Sequence, residues 1–200
     1  MLHKVDARGL SCPQPVINAT KALESNDKIL VIVDNQTAFE NIKRLATNKG
    51  CSVSEERKPN GIYIVLEKQG TPDIASQVKK DEILHHAIRD EKVLVISQDV
   101  LGKGDDTLGA LLMKSFFHTM AETAPSPDVI IFLNSGVKLL TEGSPVLEDI
   151  QILEKKGTRL IGCGTCLDYF NLKDRLMAGS VSNMYEIKEM MLAASSTINL

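Results

Sequence analysis

The stretch KILVIVDN, residues 28–35, decides the fold of the first half of this chain. Its residues 29–33 form a continuous apolar run that is too short for a typical helix and rich in β-branched side chains. Such a run predicts a strand at the centre of a sheet or one covered on both faces. Two similar runs, KVLVISQD (92–99) and DVIIFLNSG (128–136), predict buried strands in the second half. The sequence therefore predicts two units built around buried strands.

Further patterns surround the first of these strands. A strand is predicted at residues 3–7, and the strands CSVSEER and GIYIVLEK are separated by the turn residues KPNG. Two helical stripes are predicted, one at Val16, Ile17, Thr20 and Leu23 and one at Phe39, Ile42, Leu45 and Ala46. We expect a β-α-β-α-β-β two-layer sandwich over residues 1–70, with Cys51 and Val53 sharing a core-facing side of their strand.

Residues 71–91 are polar and charged, and we predict a linker there with at most one short helix. The remaining residues, 92–200, alternate strand and helix patterns, which predicts an open, mostly parallel α/β sheet with helices on both faces. Four helices are predicted: one with a stripe at Leu108, Leu111, Leu112, Ser115 and Phe116, one capped by Ser144 with Pro145 first, and one within each of 167–179 and 183–195.

Composition restricts the classes of function. The 200 residues carry a net charge of −3, with no Trp and 4% aromatic residues, which argues against a nucleic-acid partner. The first ten residues lack a signal-peptide core, and no apolar run reaches the ~20 residues of a membrane helix, so we expect a cytoplasmic protein without a membrane partner. Its four cysteines are then expected to be reduced thiols.

Cys12 stands in DARGLSCPQPV, residues 6–16, directly before Pro13 and Pro15. The helix begins either at Pro13, with Cys12 at its N-cap, or at Pro15, with residues 12–14 semi-extended. Because the prolines delete two amide donors, their contribution is stiffness. We favour a reactive thiol on an exposed elbow over a small buried hydrophobe.

Cys163 and Cys166 form a C-x-x-C at the predicted junction of a buried strand and a helix. This spacing permits a redox dithiol, half of a zinc site, a persulfide acceptor with a resolving thiol, or two packing cysteines. A second ligand pair for zinc is missing in this half, so we predict no metal.

Ligands of such sheets bind beyond the carboxyl ends of the strands. Residues that follow two predicted strands could line a pocket there, namely Asp99, Gly102, Gly104, Asn134, Ser135 and Gly136. A plain turn at residues 134–136 is an equal alternative. Asp105 and Asp106 would repel a phosphate and are predicted to cap the next helix.

The D-x-R-G-x-x-C-P-x-P arrangement resembles the signature of the TusA-like (SirA-like) sulfur carriers over roughly the first 70 residues. This resemblance implies that Cys12 carries a persulfide. It also implies that Asp6, Arg8 and Gly9 support the turn and that Pro13 and Pro15 form a rigid elbow.

The second half resembles the DsrE-like family, α/β proteins that associate as oligomers and act in intracellular sulfur transfer. With both halves together, GKGDDTLGALLMKSFF, NSGVKL and CGTCLDYFNLKDRLMAGSVSNMYEI resemble the YedF-type proteins linked to selenium metabolism. In this resemblance Cys163 and Cys166 are both candidate thiols.

We therefore predict a sulfur or selenium relay in which Cys12 receives sulfane sulfur and exchanges it with Cys163 or Cys166. Thiolate attack on sulfur needs no cofactor. The expected partners are a donor such as a cysteine desulfurase, an acceptor protein and further copies of the chain. Two alternatives are a regulatory or scaffold protein that binds a ligand or partner without turnover, and a thiol-disulfide oxidoreductase that uses Cys163 and Cys166.

Overall fold

The computed structural model describes residues 2–69 and 90–200, which belong to two compact units. The first unit contains the strands β1 (His3–Asp6), β2 (Lys28–Val33), β3 (Cys51–Lys58) and β4 (Gly61–Lys68), and the helices α1 (Gln14–Ser25) and α2 (Gln36–Asn48). The predicted β-α-β-α-β-β order is confirmed. The predicted short helix of the linker lies outside the described residues, and the domain boundaries stay a prediction.

The strand built from KILVIV lies inside the first sheet, whose order is β1-β2-β4-β3. β2 runs parallel to β1 and antiparallel to β4, with Ile29 opposite Leu66 and Val31 opposite Ile64. These four side chains are fully buried. Because β1 and β2 are parallel, the residues that follow them meet at one edge of the sheet.

The first helix begins at Gln14, with Pro13 as its N-cap and Pro15 as its second residue. Neither predicted start, Pro13 or Pro15, is therefore right. The buried face of α1 comprises Pro15, Val16, Ala19, Ala22 and Leu23. The predicted stripe was thus correct at its ends but included Ile17 and Thr20, which are only half-buried.

The prediction that Cys51 and Val53 belong to the core is wrong. The two residues do share a strand face, but β3 is the edge strand of the sheet. Cys51 is half-buried and Val53 is 36% exposed. An alternating pattern identifies a strand face without showing whether a helix covers it.

Within residues 90–200, the second unit has five strands and four α-helices. The strands are β5 (Lys92–Ile96), β6 (Val129–Phe132), β7 (Arg159–Cys163), β8 (Ser180–Ser182) and β9 (Ser196–Asn199). The helices are α3 (Asp106–Glu122), α4 (Leu147–Lys155), α5 (Gly164–Tyr169) and α6 (Met184–Ala193), with 3₁₀ helices at Asn134–Leu140 and Lys173–Arg175. β8 and β9 are short and polar and were not predicted.

All neighbouring strands of this sheet are parallel, in the order β8-β7-β6-β5-β9. From β5 to β8 the chain advances in one direction, and it then returns to place β9 on the other side of β5. α3 and α4 pack against each other. Because crossovers between parallel strands are right-handed as a rule, we expect these two helices on one face of the sheet and α6, whose connection runs in the opposite direction, on the other. The predicted parallel α/β architecture is confirmed.

The apolar stripe predicted for α3 is mostly exposed, and only its last residue, Phe116, packs half-buried against the core. The face that packs on the core consists of Gly109, Met113, Phe117 and Ala121. Leu108, Leu111 and Leu112 are 53%, 62% and 42% exposed. Both sets recur every three or four residues, so periodicity could not decide which one faces the sheet.

Two other helix predictions need correction. α4 begins at Leu147 with Val146 as N-cap, because Ser144 and Pro145 belong to the preceding turn. The helix predicted within 167–179 ends at Tyr169 and is followed by a single 3₁₀ turn. The last helix is confirmed, and the side chain of Asn183 caps it.

Candidate functional site

The Cys12 thiol stands on a stiff, half-exposed elbow before α1. The amide of Gln14 donates to the carbonyl of Ser11 at 2.8 Å, and the amides of Val16 and Ile17 both donate to the carbonyl of Pro13 at 3.1 Å. The helix amides nearest the cysteine are thus already bonded to backbone. Because proline fixes φ and Pro15 is buried, the elbow is anchored through the prolines.

An ion pair holds the turn that leads to this elbow. Arg8 donates from Nε to Asp6 Oδ1 at 2.8 Å and from Nη2 to Asp6 Oδ2 at 2.6 Å. The Arg8 hydrogen bond lowers the pKa of Asp6 to about 2. A third nitrogen, Nη1, donates to the carbonyl of Asn60 at 3.2 Å. The guanidinium therefore ties the turn to the β3-β4 hairpin.

Asp34 also stabilises this turn, a role that the sequence did not indicate. Its carboxylate accepts a hydrogen bond of 2.6 Å from the amide of Gly9, and this bond lowers the pKa of Asp34. Gly9 has a φ of +70°, which suits glycine. The position of Asp34, directly after β2, was the signal that could have placed it beside the end of the parallel strand β1.

Gly61 is a second residue that the turn before Cys12 requires and that the sequence did not indicate. A Cβ at this position would lie 2.7 Å from the carbonyl oxygen of Val33 and 3.3 Å from Cδ of Arg8. The turn KPNG therefore provides close approach to the Arg8 side chain as well as a reversal of the chain. The sequence indicated only the turn.

Cys163 and Cys166 lie at the carboxyl edge of the second sheet, as predicted. Cys163 ends β7, and Cys166 is in the first turn of α5. The Cys163 side chain is 1% exposed, whereas Cys166 is half-buried. Burial raises the pKa of Cys163 to about 11, although the amides of Cys166 and Thr165 donate hydrogen bonds to its sulfur. The Cys166 side chain acts in the same direction as burial and also raises the pKa of Cys163.

The ends of β5, β6 and β7 bring other predicted residues to this edge. The amide of Asn134 donates to the Cys166 sulfur at 3.2 Å. The amide of Asp99 donates to Oγ of Ser135 at 3.2 Å. Gly136 packs so closely that a Cβ there would lie 2.4 Å from the carbonyl oxygen of Ile96. These contacts join the predicted residues 99, 134, 135, 136 and 166 into one cluster.

Lys138 is a member of this cluster that sequence reasoning missed. Its ammonium donates to Oδ2 of Asp99 at 2.9 Å and lies 5.2 Å from the ring centroid of Phe170. Burial acts to raise the pKa of Asp99, but hydrogen bonds from Lys138 and Ser135 bring it below its ordinary value. The motif NSGVKL contains this lysine, but only the 3₁₀ helix shows that it faces Asp99.

The glycine loop after β5 does not pack on the cluster in this way. Gly102 and Gly104 are exposed, and a Cβ on either would meet no atom within 4 Å. Their part in a pocket stays a prediction. Asp105 caps α3 through a 2.8 Å hydrogen bond from the amide of Leu108, as predicted.

Within residues 2–69 and 90–200, no group of three or more His, Cys, Asp or Glu side chains could hold a metal ion, and no helix is long and apolar enough to cross a membrane.

A surface groove of about 520 Å³ lies at the amino ends of β6 and β7, lined in part by Asp128 and Thr158. It is at the opposite edge of the sheet from Cys163.

Two protein families match the two halves of the chain separately. The family described as sulfurtransferase TusA matches residues 3–68, and the DsrE/DsrF-like family matches residues 101–200. A putative sulfur carrier protein of Methanocaldococcus jannaschii is 38% identical over 71 residues, which cover 34% of this chain and 95% of that protein.

Two solved structures are similar to single units. A SirA-like protein from Desulfitobacterium hafniense is 30% identical, covers 33% of this chain and 96% of its own, and has a TM-score of 0.31. The ychN protein from E. coli is 14% identical over 55% of this chain and 99% of its own, with a TM-score of 0.41.

The fold, the CPxP elbow and the family matches define a sulfur carrier of two units. The chain belongs to the DsrE/DsrF-like family through its second half and to the TusA family through its first.

Proposed function

We propose that this protein transfers sulfur or selenium by a cysteine persulfide relay. Cys12 is the carrier thiol, and the Cys163–Cys166 pair is the second site that accepts sulfur from it or donates sulfur to it. Each transfer is the attack of a thiolate on the outer sulfur of a persulfide, so sulfur moves without a redox cofactor.

One observation carries the proposal for Cys12: its thiol is half-exposed, while the amides of Gln14, Val16 and Ile17 that follow it are paired with backbone carbonyls. A site that performs chemistry on a bound substrate directs unpaired donors at the reacting atoms. A site that hands a group between proteins needs access and a fixed position. The Asp6, Arg8 and Asp34 contacts supply that position.

The second site differs in character, which supports a different role. Cys166 is half-buried at the edge where the ends of three parallel strands meet, and it receives a backbone donor from Asn134. Open parallel sheets bind their ligands at this edge. We assign the exchange with Cys12 to this edge of the second unit.

The partners in this proposal are a sulfur or selenium donor such as a cysteine desulfurase, an acceptor protein, and further copies of the chain. The exposed leucines of α3 support self-association, because contiguous apolar side chains on a helix surface favour burial in an interface. The occupant we propose for this face is a second copy of the second unit.

The relay is tested by incubating the reduced full chain with a cysteine desulfurase and cysteine, and then mapping added sulfur by mass spectrometry. We expect sulfur first on Cys12 and later on Cys166. Cys12→Ser should abolish labelling at Cys166, whereas the matched control Cys51→Ser should label normally. An unmodified Cys12 in folded protein contradicts the carrier role, and normal Cys166 labelling in Cys12→Ser contradicts the relay.

A further inference from the structure

We infer that the second unit releases sulfur as a free hydrosulfide anion: Cys166 holds the persulfide, and Cys163 displaces its outer sulfur by forming a disulfide with Cys166. This inference deepens the proposed function, on which it rests for the source of the persulfide. It adds an activity, the reduction of a sulfane sulfur to sulfide, and it gives the two cysteines different roles.

The division of roles follows from accessibility. Cys166 is half-buried, so a donor can reach its sulfur, whereas Cys163 is 1% exposed and cannot meet the persulfide of another protein. A relay of two equivalent carriers would need both sulfurs at the surface. Cys163 must therefore react with something already inside the site.

Cys163 ends β7, and Cys166 lies in the first turn of α5, which follows directly, so the two cysteines share one carboxyl edge of the sheet. The three-residue spacing at the start of α5 is that of C-x-x-C motifs, which close disulfides readily. Hydrogen bonds from the amides of Cys166 and Thr165 act to lower the pKa of Cys163 against the larger effect of burial. These donors stabilise a thiolate at Cys163, three residues before Cys166.

The Cys163 thiolate attacks Sγ of the Cys166 persulfide, the Sγ–Sγ bond forms, and the bond from Cys166 Sγ to the outer sulfur breaks. The electron pair leaves on the outer sulfur as hydrosulfide, and the thiol proton of Cys163 passes to solvent or to that anion. The sulfane sulfur is reduced by two electrons while the cysteines become a disulfide. A dithiol reductant then restores both thiols.

The test uses the full chain with Cys12→Ser and Cys51→Ser, which leaves only the pair. This protein is loaded with glutathione persulfide and rapidly desalted, and sulfide is measured without added reductant. We expect close to one sulfide per loaded chain and a Cys163–Cys166 disulfide in the peptide map. In the same background, Cys163→Ser should retain the added sulfur on Cys166 and lower the rate of sulfide release at least tenfold.

Two outcomes overturn the inference. One is sulfide release from Cys163→Ser at the rate of its parent, and the other is a persulfide that persists on Cys166 while Cys163 stays a free thiol. If Cys163→Ser fails to fold, Cys163→Ala and the disulfide map of the parent decide the question. Because loading bypasses Cys12, a failed relay leaves this result unchanged, so the two proposals fail separately.

Discussion

The backbone amide of Asn134 donates a hydrogen bond of 3.2 Å to the sulfur of Cys166, thirty-two residues away in the chain. This contact joins the end of β6 to the first turn of α5. Asn134 makes it with a φ of +47°, in the left-handed region that non-glycine residues seldom adopt. The backbone at the end of β6 therefore directs its donor at a thiol.

Replacing Asn134 by valine should slow alkylation of Cys166 roughly five- to tenfold, because a β-branched residue disfavours a positive φ and the thiolate loses its donor. Rates with iodoacetamide, followed by mass spectrometry, measure this effect. Asn134→Gly, which retains the amide and tolerates the same φ, should react like the parent.

Asn171→Val is the matched control for this prediction, because Asn171 also has a positive φ, +54°, in the loop after α5. Asn171→Val and Asn134→Val should each lower the free energy of unfolding by about 1 to 2 kcal/mol, because both force a β-branched residue into a positive φ. Asn171→Val should leave the Cys166 rate unchanged. Equal loss of reactivity in both variants would show that strain, and not the donor, controls the thiol.

Gly136→Ala should destabilise the second unit, because the new Cβ would lie 2.4 Å from the carbonyl oxygen of Ile96. The backbone at residue 96 or at residue 136 must then shift to make room. Overpacking of this kind costs about 1 to 3 kcal/mol. Urea unfolding of the full chain measures it. Gly104→Ala is the control, because a Cβ there meets no atom within 4 Å and adds only the strain of a φ of +146°. A larger loss of unfolding free energy in Gly104→Ala than in Gly136→Ala would contradict the prediction.

Acid should release the turn before Cys12. The pKa of Asp34 and that of Asp6 are lowered in the folded state, so their stabilising contacts are complete above about pH 4 and are lost as the pH falls through the folded values. The amide proton shift of Gly9, followed by NMR, should titrate with a midpoint below 3.8, the ordinary value for an aspartate. Asp34→Asn should remove this titration, and a midpoint above 3.8 would exclude the hydrogen bond as its cause.

Alkali should destabilise the second unit through Cys163. Its pKa is raised from 9.0 to about 11, so the buried thiol contributes stability that is complete below pH 9 and is lost as the pH rises toward 11. Cys166 is the titratable neighbour that acts on this pKa. Between pH 8 and 11 the free energy of unfolding should fall by about 2 kcal/mol more in the parent than in Cys163→Ala. Parallel curves for the two proteins would contradict the raised pKa.

Self-association through α3 should be sensitive to charge at Leu111, which is 62% exposed. Leu111→Lys should reduce the molar mass in light scattering to that of a monomer, because an unpaired ammonium is costly to bury in an interface. Leu192→Lys, at a leucine of α6 that is 76% exposed, is the matched control and should retain the parent mass. A monomeric parent would rule out the proposed interface.

The fold of the first unit and the turn before Cys12 were largely predictable from sequence. The continuous run of residues 29–33 marked the inner strand, and the motif around Cys12 marked the elbow and the Asp6, Arg8 and Gly9 turn. These are local properties, since apolar run length, proline positions and motif spacing depend on residues close together in the chain. Asp34 and Asn60 were missed because strand pairing, not chain distance, brings them to the turn.

In the second unit the sequence determined that strands and helices alternate and that two cysteines follow a buried strand. Only the tertiary structure decided which face of α3 packs inward, because two apolar stripes of equal period compete on that helix. It also decided that Cys163 is buried and Cys166 reachable, since burial depends on which elements cover a residue. The contact between Asn134 and Cys166 exists because β6 and β7 are neighbours in the sheet, and that order is a property of packing.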